Sequence, residues 1–368
     1  MTRQWGEKEK RILEKIRDNP FITQQELAKD LGLSRSAVAG YISQLTRQGE
    51  ILGRAYLLPE RERIICIGGA NLDRKAKTSA PVEWGTSNPV EVRQTFGGVA
   101  RNIAENLAQL EMDVALMTIV GQDREGEALL TECRRQGMDV SLSTALADYR
   151  TGSYTAVLDP AGEMVLALAD MGIYDQMDKA FIHRYWSRIR TSYMVVTDTN
   201  LSKEGLKALL QRCRKDGLFL CVVPVSAPKA RRLPPDLEGV SLWIGNGEEL
   251  EAVSGISVQD RDSGESACRR LREKGVDRVV WTRGAHGVYW VEEEKKGWLK
   301  GTRTSVVDVT GAGDAFAAGV VAGLKKGRSL ESACRVGLKL AARTVQTEAS
   351  VSEEIIPNWL EEGREEKL

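Results

Sequence analysis

Residues 306–316 read VVDVTGAGDAF, and the fold turns on how that stretch is parsed. A β-branched run stops abruptly in small residues and a carboxylate, and the following AFAAGVVAGL has the composition of a buried helix. Parsed as strand, glycine turn and helix, it puts Asp314 where a buried strand gives way to a buried helix. A Gly311–Ala312–Gly313 turn at such a place exposes backbone N–H groups at a helix N-terminus, which suits a phosphate or a developing anion. The same residues also suit a plain strand-to-helix connection with Asp314 as its capping carboxylate, and the stretch alone does not separate the two. It is a poor dinucleotide fingerprint, because Phe316 stands where G-x-G-x-x-G needs its third glycine.

Outward from this stretch the texture is regular. From Arg63 onward the apolar runs RIICIGG, VALMTIVG, YMVVTD, LFLCVV, LWIG, RVVWTRG and TSVVDV alternate with amphipathic segments such as KEGLKALLQRCRKDG. That pattern predicts an α/β fold with a doubly wound, mostly parallel sheet covered by helices on both faces. Two stretches, about 72–96 and 151–169, break the alternation. The second carries a hairpin turn, DPAG, and together they predict a small β lid. We place this domain at 64–362, after a charged linker at 59–63.

Residues 1–58 read as a separate unit, a small winged helix-turn-helix domain. A charged helix ends at Pro20. TQQELAKDLGLSRSAVAGYISQLTRQGEI then gives helix, turn and helix, with Thr23 and Ser34 as N-caps and Glu26 completing a capping box. GEILGRAYLL has the look of a β-wing. The helix after Ser34 buries Val38, Ile42 and Leu45, leaving Arg35, Ser36, Tyr41, Gln44 and Arg47 as candidate contacts to duplex DNA. This unit carries ten Lys and Arg against seven Asp and Glu, a surplus too small to grip DNA without a dimer.

Over the whole chain of 368 residues, 52 basic side chains balance 52 acidic ones, so no global field selects a polyanionic or membrane partner. The six cysteines lack a C-x-x-C pair and several sit in strand-like runs, which predicts reduced core thiols. Two histidines make histidine chemistry improbable. No apolar stretch reaches membrane-span length and the N-terminus lacks a signal core, so the expectation is a cytoplasmic protein.

Four further constellations line up with the first. FGGVARNIAENLAQL (96–110) opens a helix with Gly97 and Gly98, which permit close approach of a ligand, and with Asn102, which suits hydroxyls. CIGGANLDRKA ends a strand in Gly68–Gly69 with Asn71 and Asp73 just beyond, where open α/β sheets collect ligands. Asn246 and Glu249 follow LWIG, and Thr282, Gly284 and Gly287 follow RVVW. Each alone reads equally well as turn or capping chemistry.

Their order and context resemble the ribokinase-like, or PfkB, family of carbohydrate and nucleoside kinases over about residues 63–358. GGVARNIAENLA and DVTGAGDAFAAG match its two signatures, while no G-x-x-x-x-G-K-[ST] exists to suggest a P-loop enzyme. The lid segments, VVPVSAPKA and the N-terminal extension are similar to members acting on pseudouridine. The resemblance implies ATP-dependent phosphorylation of a 5′-hydroxyl, with inosine, guanosine or ribose as other substrates and a nucleoside-responsive transcription regulator as another role. It makes Asp314 the general base and residues 311–313 the anion hole. Asn71, Asp73, Gly97, Gly98 and Asn102 hold the ribose, and Ser153 reads the base. Lys229, Asn246, Thr282, Gly284 and Gly287 meet ATP. Glu249 organises Mg²⁺, and Asp308 binds a monovalent cation such as K⁺. A homodimer is expected. Two departures stand out, Val223 in place of an acidic residue and IGNGEE in place of a Lys-Pro-Asn segment.

Overall fold

The computed structural model describes residues 6–19, 22–53, 62–347 and 349–352. The wing beyond Gly53, most of the linker and the segment after Ser352 lie outside them. Three helices come first, α1 (Glu7–Asp18), α2 (Gln24–Leu31) and α3 (Arg35–Arg47). They close on a core of their own built from Ile12, Ile16, Leu27, Val38, Ile42 and Leu45. Thr23 and Glu26 form the expected capping box, with Glu26 N–H donating to the Thr23 hydroxyl at 3.2 Å and Thr23 N–H to the Glu26 carboxylate at 2.7 Å. Ser34 caps α3 by accepting from Ala37 N–H at 3.1 Å.

The second unit runs β1 (Ile64–Ile67), β2 (Asn71–Thr78), β3 (Val90–Gly97), α4 (Val99–Gln109), β4 (Val114–Met117), β5 (Ile119–Gly121), α5 (Arg124–Arg135) and β6 (Thr144–Leu146). It continues β7 (Ser153–Leu158), β8 (Met164–Asp170), α6 (Lys179–Ile189), β9 (Met194–Asp198), α7 (Lys203–Asp216), β10 (Phe219–Val223), α8 (Ala227–Ala230) and β11 (Leu242–Gly245). It ends α9 (Gly247–Ser254), α10 (Arg261–Glu273), β12 (Arg278–Thr282), β13 (Val288–Glu292), β14 (Lys295–Leu299), α11 (Ala312–Lys325) and α12 (Leu330–Thr344).

Eight strands form the main sheet in the order β14-β13-β12-β11-β10-β9-β1-β4. β4 to β12 pair in parallel, while β13 and β14 run antiparallel at one edge. Strand β1 shows why the central runs are continuously apolar. Ile64 and Cys66 enter the core beneath α4, α11 and α12, whereas Ile65 and Ile67 enter the core beneath α6, α7 and α10. All six cysteines are buried free thiols. Because β4 lies on one side of β1 and β9 on the other, the strand order reverses at β1, and open α/β sheets bind ligands beyond the C-terminal ends of the strands at such a switch point.

A separate sheet, β3-β2-β7-β8, forms the lid. Its register divides the side chains cleanly. Asp73, Lys75, Thr95 and Tyr154 share one face, while Leu72, Phe96 and Ser153 share the other. All of β8 is exposed.

Two strand readings need correction. VALMTIVG is not one strand, since β5 leaves the main sheet to pair with β6. TSVVDV forms no strand at all: Val306, Val307 and Val309 are 62%, 57% and 69% exposed. The hairpin of β13 and β14 already completes the edge, and from there the chain must return to lay α11 against α4 and α12. It crosses the end of α12, where Val307 N–H donates to the Val345 carbonyl at 2.7 Å. β-Propensity reports fitness for a pleated half-buried surface, and this segment, tied to the end of α12 instead, lies in no sheet.

Candidate active site

Asp314 sits in the first turn of α11 behind Gly311, which is left-handed at φ 80. A Cβ at Gly311 would stand 1.9 Å from the Ser350 carbonyl, so only glycine fits, whereas the same position at Gly313 meets nothing within 4 Å. The helix mouth is therefore tight on the side of the chain and open on the other. Asp314 accepts from Asn102 Nδ2 at 2.8 Å. Asn102 is held in turn by Arg101, whose Nη1 donates to Asn102 Oδ1 at 3.1 Å and to the Phe96 carbonyl at 2.8 Å, while Nη2 pairs with Glu105. Burial pushes the Asp314 carboxyl up to about 7, assisted by the carboxylates of Asp198, Glu249 and Asp73 and opposed by the Asn102 hydrogen bond. A carboxyl near 7 is poised to exchange a proton at neutral pH.

The loop after β1 and the start of α4 interlock. A Cβ at Gly97 would lie 2.0 Å from Asp73 Oδ2, and one at Gly98, whose φ is 104, would lie 2.4 Å from the Gly69 carbonyl. Both glycines are thus required by what approaches them. Asn71 Nδ2 donates to Asp73, and burial raises the Asp73 carboxyl to about 6.

Two residues that the sequence reading missed hold this junction together. Asp198, fully buried at the end of β9, accepts from Gly69 N–H at 2.8 Å, Asn200 N–H at 2.8 Å, Asn200 Nδ2 at 2.9 Å and Ala100 N–H at 3.3 Å. Asn200 Oδ1 in turn takes the Lys229 ammonium. Burial pushes the Asp198 carboxyl up and the Lys229 ammonium down. The signal was available, because DTN after the apolar run YMVV is the same polar ending at a strand terminus that singled out Asn71 and Asp73.

On the far side, Asn246 and Glu249 cap α9 reciprocally, with Glu249 N–H donating to Asn246 Oδ1 at 3.0 Å and Asn246 N–H to Glu249 Oε2 at 2.9 Å. Burial raises the Glu249 carboxyl to about 7. The Thr282 hydroxyl donates to the Gly245 carbonyl at 3.2 Å and ties β12 to β11. Gly287 at φ 91 is pressed against the Leu299 carbonyl, while Gly284 at φ 53 faces open space. Of the three, Gly284 is the one free to meet a ligand. Among the described residues no three His, Cys, Asp or Glu groups gather to cage a metal. Glu249 uses one oxygen on its helix cap, so it fits a Mg²⁺ ion carried mainly by phosphates and water.

Three expectations change. Ser153 lies on the lid face opposite Asp73, because a two-residue period puts Tyr154 beside Asp73 instead. In α3, Tyr41 packs against the core of the first unit, and Gln44 turns toward α1, donating to Glu9 at 2.8 Å. Arg35, Ser36 and Arg47 remain exposed. Asp308 is the third, and its carboxylate is already engaged by Lys75 and Thr310.

A mostly parallel α/β sheet whose order reverses at β1, with a glycine turn and a carboxylate at the start of α11, is the arrangement of a small-molecule kinase of the ribokinase-like class. Residues 61–355 match the family model described as pfkB family carbohydrate kinase, and residues 7–51 match one described as winged helix-turn-helix DNA-binding. The chain belongs to the pfkB family of carbohydrate kinases and carries an N-terminal winged helix-turn-helix domain. It is 32% identical over 336 residues to an uncharacterised sugar kinase of Escherichia coli, covering 91% of this chain and 92% of that one. It is 33% identical over 262 residues to the pseudouridine kinase of the same organism, covering 71% and 83%. Among solved structures it resembles a carbohydrate kinase from Agrobacterium tumefaciens at TM-score 0.72 and 30% identity, over 82% of this chain and 96% of that one.

Proposed function

We propose that the chain transfers the γ-phosphoryl group of ATP to the 5′-hydroxyl of pseudouridine. The observation that carries the reading is Asp314, a carboxyl raised to about 7 at the mouth of an anion-binding helix and aimed by Asn102. The hydroxyl proton passes to Asp314 as its oxygen attacks the γ-phosphorus and the bond to ADP breaks. The charge that develops on the transferring group falls to the amides of Gly311 and Gly313, because Ala312 N–H donates to the Val309 carbonyl at 3.3 Å. Asn71, Asp73 and Asn102 hold the ribose, and Tyr154, which shares the lid face of Asp73, replaces Ser153 as the residue that reads the base. Glu249 would hold a Mg²⁺ ion, which when bound would offset the charge of the phosphates.

Pseudouridine is favoured by the similarity to the pseudouridine kinase of Escherichia coli. A guanosine-inosine kinase of Exiguobacterium acetylicum is 28% identical over 301 residues, covering 81% of this chain and 98% of that one, and motivates the second reading. ADP formation measured with pseudouridine, uridine, inosine, guanosine and ribose decides between them. Pseudouridine should give the highest kcat/KM, and a best rate with inosine or ribose would overturn the substrate while leaving the kinase. We also assign the first unit to duplex DNA and the cytoplasm as its compartment. A homodimer is supported by the exposed apolar residues of the lid, among them Val92, Leu166 and Leu168.

A further inference from the structure

The resemblance placed a monovalent cation on Asp308, and the residues present do not fit one. Asp308 Oδ1 accepts from Thr310 N–H at 2.8 Å and from the Thr310 hydroxyl at 2.6 Å. Its Oδ2 accepts from Lys75 Nζ at 2.5 Å. Although burial alone pushes the Asp308 carboxyl up, the bonds from Lys75 and Thr310 hold it below the usual carboxylate range. Nearby, the Val345 carbonyl is occupied by Val307 N–H and Asp308 N–H.

Lys75 comes from β2, two residues beyond Asp73 and therefore on the same, site-facing side of the lid. Asp308 opens the turn that delivers Gly311 to the N-terminus of α11. The ion pair joins segments 233 residues apart, one from the lid and one from the anion site. We propose that the Lys75 ammonium stands in for the monovalent cation: it neutralises Asp308, steadies the 306–311 turn, and makes formation of the anion site depend on the lid being down. A tethered charge of this kind makes free K⁺ superfluous, and it links occupancy of the lid pocket to readiness of the phosphoryl-transfer end.

The test has two arms, of which only the second rests on the kinase reading. In the first, thermal unfolding of the full chain without ligands is compared in KCl and in tetramethylammonium chloride at equal ionic strength. Wild type should show no K⁺-specific rise in Tm. Lys75→Ala should acquire one that grows with K⁺ concentration, as binding to the native state alone requires. In the second arm, Lys75→Ala should lose about 10–10²-fold in kcat through misplacement of the anion site, and K⁺ or ammonium should restore part of it. A K⁺-specific Tm rise in wild type, or its absence in the variant, overturns the proposal even if no nucleoside proves to be a substrate. Lys75→Gln gives the same readings should the alanine variant fail to fold.

Discussion

Replacing Asp314 by Asn should separate stability from catalysis. The amide keeps an oxygen able to accept from Asn102, so the local geometry survives. The ionised carboxylate, however, is disfavoured in the folded chain, with a pKa of about 7 against 3.8 for a free carboxyl. At about 1.4 kcal/mol per unit the shift sets a ceiling of roughly 4 kcal/mol. Solvent at the open helix mouth reduces this to about 1–3 kcal/mol. A raised acid pKa costs nothing below 3.8, where folded and unfolded chains are both protonated, and its full amount above about 7. Asp314→Asn should therefore be more stable than wild type at pH 8, and the advantage should vanish as the pH falls toward 4. Its kcat should fall by at least about 10²–10⁴-fold with a small change in KM, the usual worth of a general base. Wild-type turnover should rise with pH through about 7 as the base loses its proton. Denaturant melts from pH 4 to 8, paired with initial rates, test both halves. A variant with near wild-type kcat, or with no pH-dependent gain in stability, would refute the assignment of Asp314 as a half-buried base.

Asp198→Asn should lower kcat/KM strongly, because the new amide sets an N–H against the Gly69 or Asn200 donors; kinetics on a variant shown to fold by fluorescence would expose it, and unchanged kinetics would leave Asp198 a bystander. Glu249→Gln preserves an oxygen for the α9 cap and removes a carboxyl that burial raises to about 7, so the expected effect is a higher Mg²⁺ requirement with stability at pH 8 no lower than wild type, read from rates across a Mg²⁺ titration and from denaturant melts. Arg35→Ala with Arg47→Ala should abolish salt-sensitive binding to the protein's own upstream DNA in polarisation titrations, while Gln44→Ala should affect it far less; no binding by wild type at any salt would leave the first unit a docking module.

What was legible in the chain followed physical locality. The capping box of Thr23 and Glu26 and the continuous apolar runs of the central strands are short-range signals, and each is present where expected. Gly97 and Gly98 were readable as sites of close approach, although not what approached them; Asp73 and Gly69 come from another segment. Asp198 had a local signal in its strand-end polar run, but the role it plays rests on Gly69 and Ala100, which lie far away in sequence. Residues 304–309 misled because β-branched composition cannot report whether a segment finds a strand to pair with. Ser153 failed on parity, since the lid register that sets its face depends on the pairing of β7 with β2. Tyr41 and Gln44 failed because the packing they join, the three-helix core and Glu9 of α1, is invisible to a stripe drawn on α3 alone.

The long spans of these contacts bear on the chain as it is being made. Asn102 meets Asp314 across 212 residues and Gly69 meets Asp198 across 129. The three-helix unit, by contrast, finds its core within its own short stretch, and such local topologies fold quickly. At a synthesis rate of about 5–20 residues per second, a nascent chain displays α3 on the order of 10–50 s before Asp314 has been polymerised. During that interval the module we assign to DNA exists without a phosphoryl-transfer site. Any chain cut or stalled before α11 remains in that condition: a helix-turn-helix with a silent kinase.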